Sequence, residues 1–150
     1  MSSNNKDAAP IIEKLRQFYD EFAESSLDKL GDIYTEDVTF IDPIHQTNGL
    51  DDLKAYFKHT MGGVSQCHFA FDEQRGDNEV QFLTWQMRLI HPKLAKGREI
   101  VVPGVSELHI RDDKIRKQQD YYDLGAMLYE HIAILGFVID KVKQRLVLKD

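Results

Sequence analysis

Asp42 is the first residue of this sequence whose position suggests chemistry. It ends a short apolar run with the pattern of a strand, and Pro43 follows it directly. Because side chains alternate across a strand, Val38, Phe40 and Asp42 share one face, where an unpaired carboxylate is costly to bury. A carboxylate held in such surroundings is a candidate general base. The alternative is that Asp42 accepts hydrogen bonds from the backbone of the turn that begins at Pro43.

Six histidines are the other candidates for acid-base or metal chemistry. His45 lies three residues after Asp42, where it could shuttle protons near neutral pH or simply belong to a surface loop. No two histidines stand at i,i+4 spacing, and Cys67 is the only cysteine. Because metal sites need several such ligands close together, we predict no metal site and no cofactor.

Helical spacing of apolar residues dominates the first half of the chain, which is interrupted by one strand. The helices are predicted from Pro10 to Glu24, from Leu27 to Tyr34 behind an N-cap at Ser25-Ser26, and from Gly49-Leu50 to Gly62-Gly63, with the strand from Val38 to Asp42. Pro43 ends the strand because proline cannot donate a ladder hydrogen bond.

The second half changes to the alternating pattern of strands, separated by short turn signals. Strands are predicted at Cys67–Glu73, Glu79–His91, Arg98–Ile110 and Lys114–Tyr122, followed by a helix over Leu124–Leu148. Such short connections favour antiparallel hairpins.

Three single features of the second half have local roles. Trp85 is in phase with Leu83 and Met87, so we predict that it packs in the core, with lining of a pocket as the second interpretation. Asp123 is predicted to cap the terminal helix. The apolar run Tyr129–Phe137 is expected to cover the mouth of a cavity or a partner subunit.

Helices gathered ahead of a strand meander predict an α+β domain, in which the helices cover one face of a curved, cone-shaped sheet that encloses a pocket. One domain is expected over residues 8–150, with residues 1–7 as a disordered N-terminal tail. The formal net charge of −6 argues against nucleic acid as a partner. Apolar runs shorter than the roughly 20 residues of a membrane span, and an N-terminus without a signal-like stretch, predict a cytoplasmic protein that does not enter membranes.

Two stretches resemble a known family. Leu30–Pro43 (LGDIYTEDVTFIDP) and Gly49–Phe57 (GLDDLKAYF) are similar to the nuclear transport factor 2-like superfamily, and within it to the SnoaL-like branch. The segments Gly104–Ile110 and Lys114–Asp123 resemble the closing strands of that branch. The resemblance implies a cone with a six-stranded, mostly antiparallel curved sheet, a terminal helix, a hydrophobic pocket and a homodimer formed through the sheet.

The resemblance also allows two family activities to be checked residue by residue. In ketosteroid isomerases a tyrosine and a protonated acid assist a carboxylate base, whose position Asp42 occupies. Phe18 stands at the tyrosine position, with Tyr19 one residue away, and Ser106 stands near the second acid. Epoxide hydrolases of this fold use an Arg-x-Asp arrangement, but here the strand carries Gly104-Val105-Ser106. Neither activity is therefore expected.

The SnoaL-like cyclases resemble the chain better, because they place an acid/base aspartate on the last strand, where Asp120 stands. Strand alternation puts Arg116, Gln118, Asp120 and Tyr122 on one face. The hypothesis is that Asp42 and Asp120 remove a proton beside a carbonyl, with Tyr122 or Ser106 as hydrogen-bond donor. The alternative for Asp120 is a structural ion pair with Arg116 or Arg88.

Two function classes therefore stay open. One is a cofactor-independent isomerase or cyclase that acts on a small hydrophobic, carbonyl-bearing molecule through Asp42 and Asp120. The other is a non-catalytic module that holds a lipophilic ligand or a protein in the same cone. In both, the predicted substrate-binding residues are Phe18, Tyr19, Phe40, His45, Trp85, Ser106 and Tyr122.

Overall fold

The computed structural model describes residues 9–128 and 131–147. The predicted tail, residues 1–7, lies outside the described residues. The same is true of positions 129 and 130 and of the last three residues of the chain. No helix among the described residues is long and apolar enough to cross a membrane.

Six strands form one curved sheet, which confirms the predicted fold class of a mixed, mostly antiparallel sheet in an α+β protein. The strands are β1 (Tyr34–Ile41), β2 (Gln46–Asn48), β3 (Gln66–Gly76), β4 (Val80–Ile90), β5 (Ile100–Arg111) and β6 (Lys114–Tyr122). Their order across the sheet is β2-β1-β6-β5-β4-β3. Among the strand pairs of residues 9–128 and 131–147, only the contact between β1 and β6 is parallel. The three-residue strand β2 was missed, because so short a segment carries no alternation to detect.

The helices occupy the predicted regions with different limits. They are α1 (Ala9–Glu21), α2 (Leu30–Ile33), α3 (Leu50–Gly63), α4 (Leu124–Met127) and α5 (Ala133–Val147), and a 3₁₀ helix at Glu24–Lys29 precedes α2. The Ser26 hydroxyl accepts a hydrogen bond from the Ala23 amide, so the helical segment begins before Ser25-Ser26 rather than after it. The predicted continuous terminal helix is two helices. Asp123 caps the first of them through the Ala126 amide, as predicted.

The strand register brings the two candidate aspartates together. Phe40 pairs with Gln118 and Ile41 with Gln119 in the parallel β1–β6 contact. One further step in this register places Asp42 beside Asp120. Side chains of equivalent residues on neighbouring strands point to the same face, so both carboxylates face the concave side of the sheet.

A bulge in β6 corrects one prediction about its faces. His109 pairs with Lys117 and Ile110 pairs with Ile115, which leaves Arg116 as an extra residue. A bulge of this kind inverts the alternation on one side of it. Arg116 is therefore exposed, although Gln118 on the other side of the bulge is fully buried.

The core lies on the concave side of the sheet in two clusters. The first joins α1 and α3 to β1, with Leu15, Val38 and Leu53 fully buried. The second surrounds Trp85 and Met87 and is closed by Met127 of α4. Leu83, Trp85 and Met87 are all buried, which confirms the predicted phase of β4.

Candidate functional site

An apolar cavity of about 530 Å³ lies between the concave sheet and α3. This size is in the range of pockets that hold small organic ligands. Aromatic and aliphatic side chains from α1, β3, β4 and α3 form most of its wall, and Met127, Leu128 and Ile132 add the segment that leads into α5. The polar groups are few and include Asp42, Asp120, Tyr56, Tyr122, His91 and Lys93.

Asp120 is fixed by two hydrogen bonds to a single carboxylate oxygen. The Ser106 hydroxyl donates to Oδ1 over 2.6 Å, and the Gln118 amide Nε2 donates to the same atom over 2.9 Å. Trp85 Nε1 donates to Ser106 Oγ over 2.9 Å, which fixes the direction of the serine hydroxyl. Oδ2 has no hydrogen bond to any described residue, so this second oxygen is available to a ligand in the cavity.

Burial raises the pKa of Asp120 to about 6. Loss of water around the carboxylate is the main cause, because a low-dielectric environment disfavours the charged form. The hydrogen bonds from Ser106 and Gln118 lower the pKa and oppose this effect, and the negative charge of Asp42 raises it further. A carboxyl group with a pKa close to neutral exchanges protons efficiently at physiological pH.

Asp42 combines the two roles that the sequence left as alternatives. Its Oδ1 accepts hydrogen bonds from the backbone amides of Ile44 and His45, at 2.8 and 2.9 Å, which is the turn role. Its Oδ2 accepts a hydrogen bond of 2.6 Å from the Tyr56 hydroxyl, on the cavity side. Three donors therefore hold this carboxylate in place.

Two tyrosines complete the polar end of the cavity. Burial and the adjacent Asp42 raise the pKa of both Tyr56 and Tyr122, so both phenols stay protonated at neutral pH. The Tyr56 hydroxyl already donates its hydrogen bond to Asp42. The Tyr122 hydroxyl has no hydrogen-bond partner among the described residues, and it is therefore the phenol that can donate to a ligand.

The structure brings together most of the residues predicted to form the site. Asp42 and Asp120 line one cavity together with Tyr19, Phe40, Trp85 and Tyr122. The alternative interpretation of Asp120, an ion pair with Arg116 or Arg88, is wrong. Arg88 pairs with Glu99 at 2.8 Å, and Arg116 approaches His109 instead.

Three predicted substrate-binding residues do not line this cavity. Phe18 packs against Phe57 with ring centroids 5.7 Å apart, because α1 turns Tyr19 towards the cavity and Phe18 into the core. His45 is exposed and stacks on the outer face of the Tyr56 ring, with centroids 5.4 Å apart. Ser106 is buried behind Asp120 and acts on it through the hydrogen bond described above.

Sequence reasoning missed Tyr56 and Gln118 as members of the site. Helical spacing by itself places Tyr56 on the apolar face of α3, and strand alternation by itself places Gln118 on one face of β6. The signal available for each was a polar group on an otherwise buried face, since such groups need partners. Which partner each one finds depends on contacts that are remote in sequence: 14 residues separate Tyr56 from Asp42, and 99 separate Gln118 from Tyr19.

We predict that Gly104→Ala disturbs the site without touching a carboxylate. Gly104 pairs with Trp85 across β4 and β5, and a Cβ at position 104 would overlap the indole ring. Overpacking of this kind costs about 1–3 kcal/mol of the free energy of unfolding. Urea unfolding should show this loss, and the quenched or shifted Trp85 fluorescence should report the displaced ring.

Gly62→Ala is the matched control, because a Cβ at that position meets no described atom within 4 Å beyond its chain neighbours and the backbone of its own helix. We expect it to leave the Trp85 fluorescence unchanged. An unchanged stability and spectrum in Gly104→Ala would contradict the close approach of the ring.

The arrangement defines a class of protein: an α+β cone with an apolar cavity and two carboxylates on its wall. No cluster of three or more His, Cys, Asp or Glu side chains within residues 9–128 and 131–147 could hold a metal ion. A family model for the SnoaL-like domain matches residues 15–118, and the chain belongs to this family.

Solved structures with the same fold share little sequence with this chain. An NTF2-like protein of unknown function from Burkholderia pseudomallei is 14% identical, with a TM-score of 0.73 over 85% of this chain and 98% of its own. A candidate SnoaL-like polyketide cyclase from Jannaschia sp. CCS1 is 13% identical, with a TM-score of 0.72 over 88% and 94%. TerC, co-crystallised with polyporic acid, is 13% identical, with a TM-score of 0.69 over 81% and 95%. A search of curated protein sequences found no match.

Proposed function

We propose that this protein catalyses cofactor-free proton transfer on a small hydrophobic molecule that carries a carbonyl group, as an isomerase or cyclase. The observation that carries the proposal is Asp120, which lines an apolar cavity with a pKa of about 6 and with an Oδ2 that has no hydrogen bond to the described residues. A general base has to reach the substrate and be partly desolvated. The position of Asp120 on the cavity wall and its burial support both requirements.

The proposed reaction begins with the ionised form of Asp120. Its Oδ2 takes a proton from the carbon next to the carbonyl, and the electron pair of the broken C–H bond moves to the carbonyl oxygen. Tyr122 donates a hydrogen bond to that oxygen and stabilises the developing negative charge. The carboxylic acid of Asp120 then returns the proton to the same or another carbon of the substrate, so no external oxidant or reductant is needed.

Asp42 supports this reaction from the next strand. Its negative charge raises the pKa of Asp120, which makes Asp120 the better proton acceptor. Its hydrogen bond to Tyr56 holds that phenol on the cavity wall. In this proposal Asp42 is the electrostatic partner of the base, and Asp120 carries the proton.

The residues that line the cavity support a substrate class, and the ligands and names of the similar structures are consistent with it. Large aromatic side chains such as Phe69, Trp85 and Phe40 offer flat apolar surface for a cyclic ligand. Of the similar structures, one is a candidate polyketide cyclase, and another protein, TerC, was crystallised with polyporic acid. A hydrophobic cyclic ketone or quinone is therefore the first ligand class to test.

The test has two stages. A thermal-shift screen with hydrophobic ketones, lactones and polyporic acid identifies compounds that bind. Proton NMR in D₂O then measures the exchange of deuterium into the acidic C–H positions of each bound compound that has them. Enzyme-dependent exchange is expected. Binding without exchange in any such ligand would overturn catalysis and favour the alternative, a non-catalytic module for lipophilic ligands, which the mostly apolar wall also fits.

We predict that Tyr122→Phe slows the exchange on the order of a hundredfold, the usual effect of removing one donor to a developing oxyanion. Tyr121→Phe is the matched control, since it deletes the same hydroxyl one residue earlier on the exposed face of β6. That variant should exchange at the rate of the unchanged protein. Equal rates in both variants would remove Tyr122 from the mechanism.

A further inference from the structure

A buried ring of polar side chains lies directly behind Asp120. The Tyr34 hydroxyl donates to Gln118 Oε1 over 2.6 Å, and Gln118 Nε2 donates to the Tyr19 hydroxyl over 3.2 Å. The hydroxyls of Tyr19 and Tyr34 lie close enough that each affects the pKa of the other, which closes the ring. All three side chains are buried, and Gln118 has no exposed surface at all. Three elements meet here, α1, β1 and β6, and β6 is far from the other two in sequence.

This ring favours the orientation of the Gln118 amide in which Nε2 faces Asp120. A side-chain amide has a donor end and an acceptor end, and a half turn of the group exchanges them. The Tyr34 hydroxyl donates its hydrogen bond to Gln118 Oε1. This hydrogen bond holds the amide oxygen on the core side, so the NH₂ group lies on the side of Asp120. Without that donor, the reversed amide would present a carbonyl oxygen to the carboxylate, at the 2.9 Å that now separates Nε2 from Oδ1.

We propose that Gln118 is a positioning residue, and that Tyr34 and Tyr19 hold its amide so that Nε2 binds Oδ1 of Asp120 and leaves Oδ2 free for the cavity. The inference rests on the proposed function in one respect: the arrangement serves catalysis only if Asp120 is the base. The arrangement itself can be tested on Asp120 alone, without a substrate.

The alternative is that the ring only satisfies buried polar groups. Buried hydroxyls and amides need hydrogen bonds in any fold, so a structural role would affect stability alone. The two interpretations differ in their effect on Asp120. A positioning role changes the balance between its charged and neutral forms, because a lost donor disfavours the carboxylate.

The titration of Asp120 must be separated from that of its neighbours. The groups that face it are Asp42 from the end of β1, Tyr56 from α3, Tyr122 from its own strand, and Tyr19 and Tyr34 from the ring. The four tyrosines stay protonated over the acidic range because the pKa of each is raised. Asp42 is the remaining neighbour, so the titration is carried out both in the unchanged chain and in an Asp42→Asn background.

The experiment follows the side-chain carboxyl carbon of Asp120 by ¹³C NMR from pH 3.5 to pH 8.5, with Asp120→Asn used to assign the resonance. Tyr34→Phe, which never touches Asp120, should raise the titration midpoint by about one pH unit, as expected when a charge-assisted hydrogen bond is lost. Gln118→Leu removes the donor itself and should raise the midpoint at least as far. Tyr121→Phe, the control for loss of a hydroxyl, should leave it unchanged.

Two results would overturn the inference. An unchanged midpoint in Tyr34→Phe, together with a raised one in Gln118→Leu, would show that the tyrosine does not control the amide. An unchanged midpoint in both would show that Gln118 does not act on Asp120. If Tyr34→Phe does not fold, Tyr19→Phe takes its place, because it removes another hydroxyl of the ring. The Asp120 midpoint in that variant is then compared with the midpoint in Gln118→Leu in the same way. Failure of the proposed reaction would be seen separately: no deuterium would exchange into a bound ligand, although the Asp120 midpoint responded to the variants as expected.

Discussion

Asp120→Asn should reduce proton exchange into a bound ligand by about 10² to 10⁴-fold, the usual contribution of a positioned general base. The amide is nearly the same shape as the acid and can still accept hydrogen bonds from Ser106 and Gln118 through Oδ1. The fold and the cavity are therefore expected to persist, and only the group that takes the proton is lost. NMR exchange rates at pH 7, with ligand affinity measured in parallel by calorimetry, check this result.

The affinity measurement separates chemistry from binding. A normal dissociation constant with slow exchange identifies Asp120 as the base. Exchange at the unchanged rate would refute that role and leave the cavity as a binding site only. Asp42→Asn provides the comparison, since it should bind the same ligand and lower the rate by a smaller factor, through the lost influence of its charge on Asp120.

Asp120→Asn should also make the protein more stable at neutral pH, by up to about 3 kcal/mol. The folded protein holds the Asp120 proton with a pKa of about 6, whereas an aspartate in an unfolded chain titrates near 3.9. Between these two values the folded state binds more protons than the unfolded state, so the free energy of unfolding falls as the pH rises. A difference of about two pH units corresponds to about 3 kcal/mol, fully developed above pH 7, small near pH 4 and lost at lower pH, where the group is protonated in both states.

Urea unfolding from pH 4 to pH 8 measures this effect as a difference between the variant and the unchanged protein. The difference should be small at pH 4 and grow through pH 6. Glu13→Gln is the control, because it removes an exposed carboxylate from α1 and should leave the pH dependence unchanged. A difference that does not vary with pH would contradict the raised pKa of Asp120. Lower catalysis with higher stability is the pattern of a group kept for its chemistry.

Periodicity in the sequence predicted most of the elements because those elements bury one face. The two-residue repeat through Trp85 and Met87 identified β4 and its buried side, and Asp123 was recognised as a helix cap from its position alone. The predictions were wrong where a pattern was too short or was interrupted. β2 has only three residues, and the bulge at Arg116 reverses an alternation that looks continuous in the sequence.

The candidate site likewise has features that the sequence predicts and features that only the tertiary structure sets. The sequence alone determined the carboxylate at the end of β1, the aspartate in β6 and the fold family, since all three depend on residue type and local spacing. The tertiary structure decided that Tyr19 rather than Phe18 reaches the cavity, because a helix residue is displaced by about 100° from its neighbour and only packing sets the rotation of the helix. It also decided which donors hold each carboxylate. Hydrogen bonds need atoms within about 3 Å, and that precision between distant segments comes from strand register and helix packing together.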